Sequence, residues 1–409
     1  MENIIGSALG KFRIIDLTMG IAGPYATKLF ADYGSDVIKV EPPGSGDIAR
    51  SIGPFHGDDP HPEKCLLFLC LNCNKRGVTL NLETLTGRKI FRELVKTADV
   101  IFESFSPGYL DEIGLGYDEL SSINPNIVMT SISPFGQTGP HRNYDGNDLI
   151  YQAAGGIMYT SGAYDREPLK HGHPQSLYFG GITAAYATSI ALYGRNVIGH
   201  GQHLDFSLAE SAAAHQYQPV IRYTFLGAID RRAPKADTDN LKSTGWQGIV
   251  PTKDGFVSPT LRPPRRALSG AEAWKEYAKL IGRPDLGEAL ADAKTAKQRD
   301  EILMPALKEI GKFDYYHNIM SNEWLGGVVQ TSEDLVSCPQ LEERGFWTEV
   351  NHPVMGKVKL PGELFRMPES PWRMRYPAPL LGQHNSAVYA GELGYSVQDV
   401  IRLRQQGAI

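Results

Sequence analysis

A chain of 409 residues has room for more than one hydrophobic core, and two domains are the natural expectation. Its 41 Lys and Arg against 46 Asp and Glu give a formal net charge of -5, which provides no basic face for nucleic acid or for an anionic membrane. Hydrophobic residues make up 42% and charged residues 21%, with no apolar run of spanning length. The opening MENIIGSALGKFRIIDL lacks the basic and apolar regions of a secretory leader, so cytoplasm is the expected compartment.

FRIIDL (12–17) is an apolar run of strand type, followed in TMGIAGPYATKLFADYG by a loop and a helix with Pro24 at its first position and Gly34 at its stop. DVIKVE (36–41) is the next strand. Strand, helix and strand within some thirty residues make a βαβ unit, which predicts a parallel sheet with ligands outside the carboxyl ends of its strands. The first loop reads Gly20-x-x-Gly23-Pro24 rather than G-x-G-x-x-G, although Glu41 ends the second strand where a ribose-binding acid would sit. A nicotinamide or flavin dehydrogenase is therefore a runner-up class.

EPPGSGDIAR (41–50) is a Pro/Gly loop carrying Asp47 and Arg50, and the ordinary reading of Arg50 is a solvated surface charge. CLLFLCL reads as a strand and NCNKRG as a turn with Lys75 and Arg76. Cys65, Cys70 and Cys73 have the C-x4-C-x2-C spacing of some iron–sulfur proteins, with Cys338 as a distant fourth. The intervening LLFL is apolar, and strand alternation would send Cys65 and Cys70 to opposite faces, which favours buried free thiols and no metal. Ile90, Phe91, Leu94 and Val95 share a helical face, ADVIFESF follows as a strand, and the alternation continues through DELSSIN and NIVMTSIS.

After a turn rich in Gly, Asn and Asp, Gly180-Gly181 opens a run of small and apolar residues. Ile182, Ala185, Tyr186, Ser189 and Ile190 recur at helical spacing, which predicts a buried helix. Glycines just ahead of a helix offer backbone N–H groups to a carboxylate, a phosphate or an oxyanion, or else simply make a tight turn. Residues 1–222 thus read as one α/β domain. From 223 a polar connection, AIDRRAPKADTDNLKSTGWQ, leads to a hairpin with its turn at Asp254-Gly255 and to helices in AEAWKEYAKLIG and RDEILMPALKEIGKF, a small α+β domain to 330. In 331–409 a helical TSEDLVSCPQLEERGFW precedes short strands in GKVKLPGELF.

Seven stretches in order, LTMGIAGPYATKLFADYGSDVIKVEPPGSGD, LNCNKRGVTLNL, ADVIFESFSPGYLDEIGLGYDEL, NPNIVMTSISPFGQTGP, GNDLIYQAAGG, GHGQHLDFSLAES and LGQHNSAVYAGELGYS, resemble the class III (CaiB/BaiF-type) CoA-transferases. That group includes formyl-CoA and carnitine CoA-transferases and the α-methylacyl-CoA racemases. The resemblance implies a Rossmann-like large domain built from both ends of the chain (1–222 and 331–409), a small middle domain (223–330), and ring-shaped chains threaded into an interlocked dimer. It implies a CoA thioester and a carboxylic acid as substrates and no permanently bound cofactor. Catalysis would be covalent: an Asp attacks the thioester to give a mixed anhydride, and CoA thiolate returns to give an enzyme thioester. CoA contacts carried over from the resemblance fall on Gly20, Ile21, Lys75, Phe105, Asp148, Gly180 and Gly181.

The family's Asp lies about four residues before the glycine that opens the small-residue helix. Counting back from the GHGQ turn at 199–202 puts that glycine at Gly181 and the nucleophile position at Leu177, or at Ser176 with a slip of one. Neither is a carboxylate. The family's FRPG reads Phe105-Ser106-Pro107-Gly108, and the arginine of its LDRLG stretch is Glu112, so two cations that would face CoA phosphates are replaced. The racemases' GHD reads Gly146-Asn147-Asp148 with no later Asp, which leaves His171 and His173 as substitute proton carriers. Asp148 reads as an organiser of its turn.

What the resemblance then implies is a chain with no catalytic residue of its own, one subunit of a heteromeric transferase. A homologous chain would carry the Asp and hold CoA in part or wholly, and the acceptor would be a dicarboxylic or aromatic acid. A CoA-thioester racemase with unconventional residues, or a non-catalytic CoA-binding or structural homologue, are the alternatives.

Overall fold

The computed structural model describes residues 7–162, 166–232, 249–259 and 270–409. The described residues form two compact units, one made of 7–162, 168–232 and 344–409, the other of 166–167 and the described residues between 249 and 343. Residues 233–248, most of the polar connection expected after 223, lie outside the described residues.

The first unit is built on six parallel strands: β1 (Arg13–Asp16), β2 (Asp36–Glu41), β3 (Arg76–Thr79), β4 (Val100–Glu103), β5 (Val128–Ser133) and β6 (His203–Ser207). Their spatial order is β3-β2-β1-β4-β5-β6. This is the order of a doubly wound dinucleotide-type fold, which reverses direction between β1 and β4. Both faces are covered, so the strands are apolar runs and alternate residues go to two cores. Ile14, Val37, Val100 and Val128 face one core; Ile15, Ile38, Ile101 and Met129 face the other. The expected α/β class and Rossmann-like large domain hold.

Helices α1 (Ala22–Asp32), α2 (Leu66–Asn72), α3 (Leu85–Val95), α4 (Tyr109–Glu112), α5 (Tyr117–Ile123), α6 (Asp148–Ala154), α7 (Gln175–Ile198), α8 (Leu208–Ala214) and α9 (Tyr217–Leu226) surround or extend this sheet. Three expectations change. CLLFLCL is a helix, not a strand: the Cys65 thiol accepts the Phe68 N–H at 3.3 Å as its N-cap, and a run that is apolar throughout carries no period to distinguish the two. Pro24 stands third in α1, because Ile21 is the N-cap. Arg50 is buried, with its Nε and Nη2 bonded to both oxygens of Glu41 at 2.7 and 2.9 Å and its guanidinium 3.6 Å from the Phe68 ring, so it is no surface charge.

The second unit carries an antiparallel sheet of β7 (Val250–Pro251), β8 (Phe256–Pro259) and β9 (Gly326–Val328), in that order. Helices α10 (Ala271–Leu280), α11 (Gly287–Asp292), α12 (Ala296–Leu307) and α13 (Lys312–Ser321) pack around Val257, Tyr277, Leu303, Leu307, Tyr315 and Ile319. Two short helices, α14 (Ser332–Val336) and α15 (Pro339–Glu343), end it.

The chain then re-enters the first unit through the hairpin of β10 (Trp347–His352) and β11 (Gly356–Pro361) and finishes in α16 (Val397–Gln405). The LGQHN stretch seals the outer edge of β3. His384 Nδ1 accepts the Gly77 N–H at 3.0 Å, Asn385 Oδ1 accepts the Thr79 N–H at 2.9 Å, and the Tyr389 hydroxyl donates to the Thr79 carbonyl at 2.7 Å. No helix among the described residues is long and apolar enough to cross a membrane. Among the same residues all four cysteines are free, and no three His, Cys, Asp or Glu side chains are placed to hold a metal.

Candidate active site

At the carboxyl ends of β1 and β4 the loops pack over buried charge. Asp16 ends β1 fully buried. One of its oxygens takes the Thr18 N–H at 3.0 Å and the Thr18 hydroxyl at 2.5 Å; the other takes the Thr27 hydroxyl at 2.7 Å and Lys75 Nζ at 3.0 Å. Burial by itself would raise the Asp16 carboxyl, but Lys39, Lys75 and the two threonines hold it well below the usual range. Lys75 spends its other donors on Asn72 Oδ1 and the Pro24 carbonyl, both at 2.8 Å, and burial pulls it down to about 8 against the pull of Asp16. Lys39 pairs with Asp47 at 2.7 Å, and Asp47 accepts the Gly20 N–H at 2.8 Å, where φ is +79°. Met19 N–H bonds to the Ser104 hydroxyl at 3.0 Å, so the loops after β1 and β4 are tied across the switch point.

On the other side of the sheet order, α6 meets α7. Asn147 caps α6 by accepting the Ile150 N–H at 3.2 Å, which puts Asp148 in the first turn. Asp148 Oδ1 receives the Ser176 N–H at 3.0 Å and the Ser176 hydroxyl at 2.7 Å; Oδ2 receives Gln152 at 2.9 Å and Lys170 at 3.2 Å. Burial works to raise this carboxyl, and the donors from Ser176, Gln152 and Lys170 prevail and lower it. Lys170 also gathers the carbonyls of His171 and His173 at 2.8 and 3.2 Å, while the His171 ring bonds to Ser161 at 3.2 Å.

Of the positions singled out from sequence, Gly20 and Ile21 lie at the switch-point loop. Phe105 follows β4 there, its N–H donating to Glu103 at 2.7 Å and its ring 4.9 Å from Tyr109. Lys75 is interior, with its ammonium bonded within the protein, and supports the loops from below. Glu41, the candidate ribose ligand, is likewise occupied by Arg50.

Gly180 and Gly181 do not precede a helix. α7 begins at Gln175, so both lie in its second turn and the free N–H groups belong to earlier residues. They are small because neighbours press on them. A Cβ on Gly180 would lie 2.4 Å from Leu208, and one on Gly181 would lie 2.6 Å from the Ala22 carbonyl of α1. The rest of the buried face of α7 is Ala184, Ala185, Thr188, Ala191 and Leu192, whereas Ile182, Tyr186 and Ile190, expected inside, are exposed.

A group with no sequence signal lies beneath α4 and α5. Glu103, Ser131 and His203, from three different strands, line a cavity of about 150 Å³, with the Ser131 hydroxyl 2.8 Å from His203 Nε2. They are too far apart in the chain for any motif to join them.

A doubly wound sheet with an elaborated switch point defines a ligand-binding α/β protein. More narrowly, the profile of CoA-transferase family III matches residues 9–385, and the chain belongs to that family. It is 30% identical to the succinyl-CoA:(R)-benzylsuccinate CoA-transferase subunit BbsE of Thauera aromatica, over 99% of each chain. It is 30% identical to the succinyl-CoA–D-citramalate CoA-transferase of Chloroflexus aurantiacus over 98% of each. Among solved structures it is similar to a CAIB/BAIF family protein from Brucella suis, at 28% identity and a TM-score of 0.82, covering 94% of this chain and 99% of that one. A Mycobacterium tuberculosis protein gives 25% identity and a TM-score of 0.74, covering 93% and 99%.

Proposed function

We propose that this chain is the subunit of a heteromeric class III CoA-transferase that does not carry the nucleophile, and that a homologous chain supplies the Asp. What supports this reading is how the two residues at the position that the resemblance assigns to the nucleophile are used. Leu177 packs against the apolar core under α7, and Ser176 is buried with its hydroxyl committed to Asp148. Neither can form an acyl anhydride, and Asp148 itself has both oxygens bonded.

The outer face of α7 supports a partner chain. Ile182, Tyr186, Ile190, Tyr193 and Val197 recur every three or four residues as an exposed apolar stripe, with Tyr193 and Val197 75% and 79% exposed. α9 has no buried residue although it carries Tyr217, Val220, Ile221 and Phe225. The interlocked assembly of the family would cover both. The similarity to BbsE supports succinyl-CoA as donor and a benzylsuccinate-type acid, at once dicarboxylic and aromatic, as acceptor; on this reading the chain would serve anaerobic toluene degradation in the cytoplasm. On this reading CoA is a substrate, held in part or wholly by the partner.

Co-expression with a homologous chain tests it. The purified complex is incubated with acyl-CoA, treated with hydroxylamine or borohydride, and both chains are weighed by mass spectrometry. The expected result is a labelled partner and an unmodified copy of this chain. A homodimer of this chain that transfers CoA unaided overturns the reading.

A further inference from the structure

Three buried carboxylates near the switch point, Asp16, Glu41 and Asp47, each face a Lys or Arg. Glu103, just as deeply placed at the end of β4, makes no ion pair among the described residues. The Phe105 N–H donates to it at 2.7 Å, Ser131 lines the same cavity and lowers its pKa, and Ser131 Oγ is 2.8 Å from His203 Nε2. His203 is stacked on Tyr117 with ring centroids 5.4 Å apart. At the same cavity Gln137 presents a buried Nε2 with no partner among the described residues, which marks the space as polar and suited to water.

We propose that Glu103 is a positioning residue for the turn 104–108, and that a proton shared along Glu103, Ser131 and His203 switches how tightly that turn is held. With Glu103 neutral, its O–H donates to Ser131 Oγ, the Ser131 O–H donates to His203 Nε2, and Phe105 N–H keeps only a neutral acceptor. When the proton leaves, the Ser131 hydroxyl turns back to the carboxylate and Nε2 of His203 becomes the donor to Ser131 Oγ. Phe105 N–H then bonds to a charged oxygen, which strengthens that bond. Covalent bonds balance: one O–H bond of Glu103 breaks, its proton passes to water in the cavity, and His203 exchanges its tautomer.

The surroundings favour a working range near neutrality. Burial pushes Glu103 up to about 7, against the hydrogen bonds from Ser131 and Phe105. Burial also lowers His203, which favours its neutral ring. The charged and titratable groups that face Glu103 and His203 from the packed elements are Asp111 on α4, Tyr117 and Asp118 on α5, and Asp205 on β6. The nearby cations are engaged elsewhere: Arg92 of α3 with the Gly114 carbonyl at 2.8 Å, and Arg142 with the Pro107 carbonyl at 3.4 Å. The turn matters because Ser104 also receives the Met19 N–H, so its tension reaches the Gly20 loop across the crevice.

This inference needs neither CoA nor a partner chain, so it stands or falls apart from the subunit reading. The test is hydrogen–deuterium exchange of peptides spanning residues 104–110 in the full chain, corrected for intrinsic rate, at a series of pH values. Protection at Phe105 should rise about fivefold from acid to alkaline buffer, the gain expected of a charge-assisted bond, with a midpoint near 7. Glu103→Gln should abolish the rise. Ser131→Ala, which keeps the carboxylate and removes a bond that lowers its pKa, should move the midpoint upward. A flat profile in the unmodified chain, or a rise that Glu103→Gln preserves, overturns the proposal.

Discussion

Ser176 spends both its backbone N–H and its hydroxyl on one oxygen of Asp148, at 3.0 and 2.7 Å, and so ties the start of α7 to the start of α6. Ser176, next to the Leu177 to which the family resemblance assigns the nucleophile, thus acts as a structural clasp. Asp148→Ala should cost about 2–3 kcal/mol, because it strands the buried Ser176 donors, whereas Ser176→Ala should cost only about 1 kcal/mol. Urea unfolding of the single and double variants should show strong coupling between the two.

Gly181→Ala sets helix propensity against close packing. Alanine gains at most about 1 kcal/mol in a helix interior. The new Cβ, however, meets a backbone carbonyl of α1 at 2.6 Å, an atom that cannot swing aside. Overpacking of this kind costs about 1–3 kcal/mol, so the variant should melt below the parent by differential scanning calorimetry.

Lys75→Met should be among the most damaging single changes. It leaves Asp16 buried with one cation fewer, and breaking a buried pair costs about 3–5 kcal/mol. Pairing it with Asp16→Asn should recover part of that loss, which chemical denaturation of the double variant would measure.

Tyr193→Asp with Val197→Asp should leave the isolated chain as stable as before, since both side chains stand in solvent. Light scattering after size-exclusion chromatography should nevertheless show loss of the complex proposed for this chain. Unchanged assembly would remove the outer face of α7 from any subunit contact.

Glu103 makes stability depend on pH in a direction opposite to most carboxylates. Its folded pKa of about 7 lies above the unfolded value of 4.5, so its contribution is complete below the unfolded value and is lost as pH rises through the folded one. The unfolding free energy of the parent relative to Glu103→Gln should fall by on the order of 3 kcal/mol across that window.

Much of the large unit could be read from the chain. DVIKVE spans β2 residue for residue, the run FRIIDL contains β1, and Ile90, Phe91, Leu94 and Val95 are the buried face of α3 as their spacing required. Reading failed where one-dimensional pattern is ambiguous. CLLFLCL has no period to separate helix from strand. Ile182, Tyr186 and Ile190 share a helical face, but spacing alone does not say that the inner face belongs to Ala184, Ala185 and Ala191.

The sequence alone determined the family, the parallel α/β architecture and the lack of a carboxylate at Ser176 and Leu177, because these depend on local residue type and order. Tertiary structure decided what those residues touch. It buried Lys75 and Arg50 against carboxylates, set Gly180 and Gly181 inside α7 against Leu208 and α1, and brought Glu103, Ser131 and His203 together from three strands. Strand order and helix packing create those contacts, and neither is written in the spacing of neighbouring residues.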